Sequence, residues 1–290
     1  MEAFPFYHSQ CILGEGPLWL EDKKCFYWVD IERGTLFEYN WLTKSTRNWF
    51  FDYKVTMVIE STRDHLILAL NTSIARFKTD TGQLEWLVDI EEGMIKNRCN
   101  DGACDNQGRL WIGTMHRQHE YGAGSLYCID SNLRIDKKMD KVTISNGIAW
   151  SLDNKHMYYI DSPTQKIQSF IFDERAGKIL FDKTAVTIPV EMGTPDGMAI
   201  DSAGMLWVAH WNGYGVYRWN PETGQLLTKI DVPAPQITSC AFAGEDLNYL
   251  MITTARENMS TSALEQFPSS GDVFIAKTEI NGTATNKCTF

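Results

Sequence analysis

A polar residue recurs at the same point of a repeating strand pattern, and this repeat limits the folds that the chain can adopt. The polar residues stand in four short glycine-containing segments, residues 14–17, 100–102, 145–147 and 195–197. About ten residues after each segment comes an apolar stretch typical of a β-strand, at residues 26–29, 110–112, 157–160 and 206–208. Two weaker stretches, residues 66–69 and 249–252, extend the series to six. Successive stretches lie roughly 40 to 50 residues apart, which is the interval between blades of a β-propeller.

The pattern within one repeat predicts how the strands are arranged. Each apolar stretch is followed by a turn and a second alternating strand, such as residues 215–219, which leads to a hairpin-type turn at 222–224. We therefore expect an all-β fold, a six-bladed β-propeller with about four antiparallel strands per blade, as a single domain over residues 1–290. A strand within residues 4–12 is expected to pair with the last blade and close the ring. Two β-sandwiches, the alternative all-β fold, would not explain why the polar residues fall in register.

One segment departs from the strand pattern. Residues 256–270 form the longest insertion between strand signals, and residues 259–267 within it are the best helix candidate in the chain. We expect this insertion to form a surface loop or lid.

Composition and charge narrow the classes of partner. The formal net charge is −10 and no basic stripe is present, so a nucleic-acid partner is not expected. No run approaches the roughly 20 apolar residues of a membrane-spanning helix, and the first residues do not have the pattern of a signal peptide. The seven cysteines are scattered without CxxC spacing, which favours reduced, packed thiols. The sequence thus predicts a cytoplasmic protein with no membrane partner and no evident obligate protein partner.

The recurring polar residues are Glu15, Asn100, Asn146 and Asp196. In a propeller the first strand of each blade lines the central channel, so residues at equivalent positions converge although they are distant in sequence. A glycine within two residues of each allows a tight turn and a close approach of the backbone. Any one of these segments by itself favours a plain turn, but four in phase favour a shared site. Carboxylate and amide oxygens suit Ca²⁺, Mg²⁺ or Mn²⁺, although they do not exclude Zn²⁺.

Four stretches resemble the SMP-30/gluconolactonase/regucalcin-like family of six-bladed propellers, which includes sugar lactonases. They are residues 13–17, 98–102, 146–151 and 195–201, and the similarity continues in order to residues 238–242. Two departures are visible. Ser145 stands where the family usually has proline, and Ala243 replaces the first residue of a Gly-Gly pair. Neither removes a ligand, but each would alter the shape of the pocket.

The resemblance implies roles for individual residues. One divalent metal ion, Ca²⁺, Mg²⁺, Mn²⁺ or Zn²⁺, would be ligated by Glu15, Asn146 and Asp196. Substrate hydroxyls or the ring ester would be bound by Arg98 and Asn100, with a salt bridge at the channel rim as the alternative role of Arg98. Glu120 matches a substrate-contacting glutamate of the family by its position before residues 124–127.

These roles lead to a functional hypothesis, the hydrolysis of a small sugar lactone to the aldonic acid. The metal would polarise the lactone carbonyl and activate water, and Asp196 would act as general base or as a ligand only. Asp101 and Asp161 would orient these residues from behind. The alternatives are a metal-dependent hydrolase of other esters or organophosphates, and a non-catalytic calcium-binding propeller. A serine hydrolase is disfavoured because no Gly-x-Ser-x-Gly segment is present.

Overall fold

Six four-stranded antiparallel sheets make up the chain, and a computed structural model describes all 290 residues. The sheets are the blades of a six-bladed β-propeller, which confirms the predicted fold class. The first strands of neighbouring blades contact one another around a closed ring. In chain order the strands are β1 (Phe4–Tyr7), β2 (Gly14–Leu20), β3 (Cys25–Asp30), β4 (Thr35–Asn40), β5 (Thr46–Phe50), β6 (Val55–Glu60), β7 (Leu66–Leu70), β8 (Ser73–Lys78), β9 (Gln83–Asp89), β10 (Asn97–Cys104), β11 (Leu110–His116), β12 (Gly124–Ile129), β13 (Ile135–Val142), β14 (Ser145–Trp150), β15 (His156–Asp161), β16 (Lys166–Asp173), β17 (Lys178–Thr187), β18 (Thr194–Ile200), β19 (Leu206–Trp211), β20 (Gly215–Trp219), β21 (Leu226–Asp231), β22 (Ile237–Ala243), β23 (Tyr249–Thr254) and β24 (Val273–Lys277).

The two ends of the chain meet in blade 6. Its strand order is β1-β24-β23-β22, so the N-terminal strand supplies the outer edge of the last blade. The pairing is antiparallel, with Phe4 opposite Ile275 and Tyr7 opposite Val273. This confirms the predicted closure of the ring, which leaves no blade incomplete.

The insertion in blade 6 contains the only α-helix, α1 (Thr261–Gln266), between β23 and β24. Ser260 caps it by accepting a hydrogen bond from the Ala263 backbone N–H at 3.2 Å. Residues 259–267, the best helix candidate of the sequence, thus contain a helix of six residues within the loop expected there. No helix in the chain has the length and apolar character that crossing a bilayer requires.

Hydrophobic side chains fill the spaces between adjacent blades. Each of the six buried clusters draws residues from two neighbouring sheets. Between blades 3 and 4, for example, the rings of Trp111 and Trp150 meet edge to face with centroids 6.1 Å apart. Burying a large apolar side chain contributes about 1.5–3 kcal/mol, so these interfaces hold the blades at fixed angles around the channel.

The C-terminal segment crosses the channel at its far end. The Thr283 N–H donates to the carbonyl of Ile200, the last residue of β18, at 3.3 Å, and the Cys288 N–H donates to that of Glu60, the last residue of β6, at 2.7 Å. A cavity of about 350 Å³ runs along the axis, lined by Asp101 and Met198 among others and bordered by residues 283–286. The four recurring polar residues do not line this cavity, because they lie at the opposite end of the channel, where the first strands begin.

Candidate metal and substrate site at the channel mouth

Each first strand has an irregular register near its start. These β-bulges fall between Glu15 and Leu18, Val55 and Met57, Cys99 and Gly102, Asn146 and Ile148, Pro195 and Met198, and Ile237 and Ser239. A bulge leaves a residue out of the ladder and redirects its side chain. Asn100 and Asp196 lie within these bulges, whereas Glu15 and Asn146 are the last paired residues before theirs, so all four stand at about the same point of their blades.

Glycines in the bulges let neighbouring first strands approach closely. A Cβ at Gly147 would lie 2.9 Å from the carbonyl oxygen of Asp196 and 2.7 Å from the Met198 Cβ. A Cβ at Gly197 would lie 2.1 Å from the Ser239 Oγ. Both glycines belong to strands, so the close backbone approach expected from the sequence is observed, whereas a tight turn is not. This packing brings the polar side chains of successive blades together.

Hydrogen bonds link three blades at the mouth. The Asn100 Nδ2 donates to the Asn146 Oδ1 at 2.9 Å and to the Ser145 carbonyl at 2.7 Å. The Asn146 Nδ2 donates to the Ser162 Oγ at 2.8 Å, and this hydroxyl donates to the carbonyl of Pro195 at 2.6 Å. The amide of Asn146 is thereby held in one orientation, with its Oδ1 retaining a lone pair for a further ligand.

The two carboxylates of the predicted metal site are buried without a cation. Glu15 and Asp196 are each 8 % exposed, and neither forms a salt bridge. Burial, together with the negative charge of Asp101, raises the pKa of Glu15 to about 8. Burial and the charges of Glu15 and Asp101 raise the pKa of Asp196 well above its usual range. Because each carboxylate acts on the others, Glu15, Asp101 and Asp196 share one small region of excess negative charge.

Arg98 is the positive group nearest to this region. It is buried, and its Nη1 donates to the Cys99 carbonyl at 3.0 Å and to the Asn100 Oδ1. Burial lowers the pKa of its guanidinium. The salt bridge considered as its alternative role is not observed, since no carboxylate lies within 4.0 Å. Two further nitrogens, Nε and Nη2, have no acceptor in the protein and are free to bind a substrate.

Two other predicted residues lie farther from the carboxylates. Glu120 follows β11 on an exposed loop, where its carboxylate is 3.7 Å from the His116 Nε2 and its side chain is 69 % exposed. It is not hydrogen-bonded to Arg98 or Asn100, and its contact with substrate stays a prediction. The carboxylate of Asp161 accepts hydrogen bonds from the Thr143 and Ile144 N–H groups and so fixes the chain just before β14.

Sequence reasoning missed three polar residues at the mouth. Thr56 and Thr238 occupy the bulges of blades 2 and 6, the two blades whose repeats are weakest. The Thr56 Oγ1 is buried without a hydrogen-bond partner, whereas the Thr238 Oγ1 donates to the Gly14 carbonyl at 2.6 Å. Ser162, which positions Asn146, lies outside any repeated motif. Extending the spacing of the repeat from Glu15 to the two weak repeats would have pointed to both threonines.

The donor set suits a hard cation. No three histidine, cysteine, aspartate or glutamate side chains are grouped to hold a metal ion. The site instead offers two carboxylates, from Glu15 and Asp196, with the amide oxygen of Asn146. Oxygen donors of this kind fit Ca²⁺, Mg²⁺ or Mn²⁺, and a cation there would offset the repulsion between the two buried acids.

Comparisons with known proteins identify the family and agree with the fold. Residues 13–256 match the family model described as the SMP-30/gluconolactonase/LRE-like region. A Bacillus subtilis protein provisionally named sugar lactone lactonase YvrE is 35 % identical, with 97 % of each chain covered. Rabbit regucalcin is 34 % identical over 92 % of this chain and 91 % of its own. The crystal structure of regucalcin from Agrobacterium tumefaciens, described as a calcium-binding protein, superposes with a TM-score of 0.95 at 26 % identity, covering 100 % of this chain and 99 % of that one. Such relatives support a lactonase or a calcium-binding propeller.

Proposed function

The chain belongs to the SMP-30/gluconolactonase/LRE-like family, and from this premise we propose that it hydrolyses a sugar lactone to the aldonic acid with one divalent metal ion at the channel mouth. One observation supports this above the others. Glu15 and Asp196 are two buried acids without a cationic partner, placed beside an amide that is held in one orientation.

Glu15, Asn146 and Asp196 would hold the metal ion. A divalent cation bound there would act as a Lewis acid toward the lactone carbonyl and lower the pKa of a bound water. Asn146 is prepared for this role because Ser162 and Asn100 fix its side chain. Asn100 in turn bridges the metal residues and the arginine.

The other residues would bind substrate and move the proton. Asp196 would act as general base and take a proton from the attacking water, because it could contact both the metal ion and that water. Arg98 would donate hydrogen bonds from its free nitrogens to the substrate, and its charge would favour negative charge developing on the carbonyl oxygen. Asn100 and Glu120 would contact substrate hydroxyls. The lactone ring then opens as its C–O bond breaks, and the ring oxygen receives a proton.

A second candidate function is calcium binding without turnover. It is favoured by the description of the Agrobacterium tumefaciens relative as a calcium-binding protein. The same acids would then serve only to hold the ion, and Arg98 would have no substrate to bind.

A lactone panel separates these functions. Purified protein is treated with EDTA, then supplied with Ca²⁺, Mg²⁺, Mn²⁺ or Zn²⁺, and acid release is followed as a fall in pH for sugar lactones, aryl esters and an organophosphate. We expect EDTA to abolish sugar-lactone hydrolysis and one or more metals to restore it. Asp153→Asn, a change at an exposed carboxylate far from the mouth, serves as the control. Tight calcium binding with no turnover would favour the second function, and turnover that EDTA does not affect would refute the first.

A further inference from the structure

The long loop of blade 6 brings a glutamate to the channel mouth. Because the second strand of each blade runs antiparallel to the first, the loop after it opens on the same face as the bulges. In blade 6 this loop begins at Ala255, which forms a β-bridge with Leu13, two residues before Glu15. The Gln236 Nε2 then donates to the carbonyl of Glu257 at 2.9 Å and fixes the backbone there.

The carboxylate of Glu257 has no partner in the protein. The side chain is half-buried, yet it forms no salt bridge and accepts no hydrogen bond. Burial raises its pKa, the charge of Glu32 adds to this effect, and Arg98 opposes it. Glu32, on the corresponding loop of blade 1, is by contrast paired with the Nζ of Lys54. A partly buried carboxylate usually finds a donor, so Glu257 is an acceptor still open to a ligand.

An unpaired donor lies at the same mouth as this acceptor. Arg98 stands beside the bulge of β10, on the face where the loop of Glu257 opens, and the charged atoms of the two residues are more than 4.0 Å apart. Each group influences the ionisation of the other, although Glu32 has the larger effect on Arg98. The Nε and Nη2 of Arg98 have no protein acceptor. A guanidinium and a carboxylate separated in this way match a group that both accepts and donates a hydrogen bond. A hydroxyl does both, whereas an alkyl or aryl group does neither.

We propose that Glu257 is a specificity-determining residue that accepts a hydrogen bond from a hydroxyl of the lactone while Arg98 donates to the same or the adjacent oxygen. This assignment rests on the proposed lactonase function and narrows its substrate to polyhydroxylated lactones. A lactone without hydroxyls would leave both charged groups unpaired in a mouth from which it has displaced water. Such a loss is the basis on which sites built for a hydroxyl reject analogues that lack one.

The test compares two six-membered lactones, one with ring hydroxyls and a hydroxymethyl group and the other with neither. The values of kcat/KM are measured for D-glucono-δ-lactone and for δ-valerolactone with the metal-loaded wild-type protein and with Glu257→Gln. The ratio of the two values is expected to fall about tenfold in the variant, mainly through a higher KM for the hydroxylated lactone, because a charge-assisted hydrogen bond becomes a neutral one. Glu265→Gln, at an exposed position of α1 on the same loop, is expected to leave the ratio unchanged.

The remaining outcomes all count against the assignment. An equal loss on both lactones would show that Glu257 acts through structure or general electrostatics, and an unchanged ratio would show that no hydroxyl reaches it. Either result would leave the lactonase function in place. If the wild-type protein turned over no sugar lactone of the panel with any metal, the proposed function and this assignment would fall together.

Discussion

The first strands carry buried carboxylates at both of their ends, and the two sets behave differently. Glu15 and Asp196 lie near the start of β2 and β18, at the channel mouth. Asp105 and Asp201 directly follow β10 and β18, at the opposite end, and are fully buried. Both sets are therefore acids on the same kind of strand, removed from water to a similar degree.

The two sets of carboxylates differ in their hydrogen-bond and ion-pair partners. The Oδ2 of Asp201 accepts from the Trp207 Nε1 at 2.9 Å and from the Arg218 Nε at 2.7 Å, and its Oδ1 accepts two backbone N–H groups. Asp105 repeats this arrangement with Trp111 and Arg109. The far-end acids are neutralised by an arginine within the fold, which makes them part of the scaffold. The acids at the mouth have no such cation in the fold, and the proposed metal ion would supply the compensating charge.

The largest expected effect comes from removing charge at the mouth. Asp196→Asn should lower kcat/KM for the best lactone by about 10³-fold, since it removes both a ligand and the proposed base. The Tm of the metal-free variant should be no lower than that of the metal-free wild type, because a buried acid without a cationic partner contributes little to stability. Initial rates with saturating metal and thermal denaturation near pH 8 measure both. A variant that keeps more than about a tenth of wild-type turnover would contradict the assignment.

The same change at the far end should have the reverse outcome. Asp201→Asn should lower the free energy of unfolding by about 3 kcal/mol, because Arg218 loses the charge that neutralises it in a buried pair. Activity per folded molecule should stay within about twofold of wild type, since the residue does not reach the mouth. Urea denaturation and rates corrected for folded fraction check this. Equal losses of activity in the two variants would erase the distinction between the regions.

The next effect is a dependence of stability on pH and metal. Folding raises the pKa of Glu15 from its ordinary value of 4.5 to about 8, and that of Asp196 moves in the same direction. The contribution of these two acids to the free energy of unfolding of the metal-free protein is therefore complete below their unfolded-state pKa. It is lost as the pH rises through their folded-state pKa. A cation binds the ionised acids, so added metal should raise Tm by more at about pH 9 than at about pH 6. A metal effect that does not change with pH, or one that persists in Asp196→Asn, would argue against this origin.

The smallest effect is expected at the rim. Glu120→Gln should raise KM for a sugar lactone by about threefold with kcat retained, because the side chain is largely exposed and a contact in water is weak. Steady-state kinetics beside the Asp196 variant would measure it. A fall in kcat as large as that of Asp196→Asn would instead move Glu120 into the catalytic set.

The sequence predicts the propeller because its repeat is visible without any tertiary information. The strand signals at residues 110–112 and 206–208 lie at the start of β11 and β19, and the closing strand within residues 4–12 is β1. The four polar residues at the bulges can also be identified from the sequence, because they recur at the same position of the repeat and a bulge recurs in every blade. The partners of a side chain leave no such periodic mark. The sequence does not show that Asp201 is hydrogen-bonded to Trp207 and Arg218. Nor does it show that Glu257 has no partner, because both facts depend on how distant loops come together.

The loops at the channel mouth also contain residues whose roles the sequence repeat does not predict. Glu257 lies in an insertion that only blade 6 has, so no other repeat offers a counterpart with which to compare it. Ser162 likewise acts through Asn146 and the Pro195 carbonyl, two groups that are close only because blades 4 and 5 pack together. Features that depend on one blade alone, or on the gap between two, require coordinates.

The six bulges also have a consequence for how such a protein changes over time. A bulge is a property of backbone register and does not depend on which side chain occupies it, so its residue can be exchanged while the blade stays intact. The six bulges of the channel mouth carry the polar side chains of Glu15, Thr56, Asn100, Asn146, Asp196 and Thr238 at or beside them. Hydrogen bonds tie Asn100 to Asn146 and Thr238 to Gly14, whereas the hydroxyl of Thr56 has no partner. A new side chain in blade 2 would therefore add chemistry to the mouth without breaking a hydrogen bond that the other blades use.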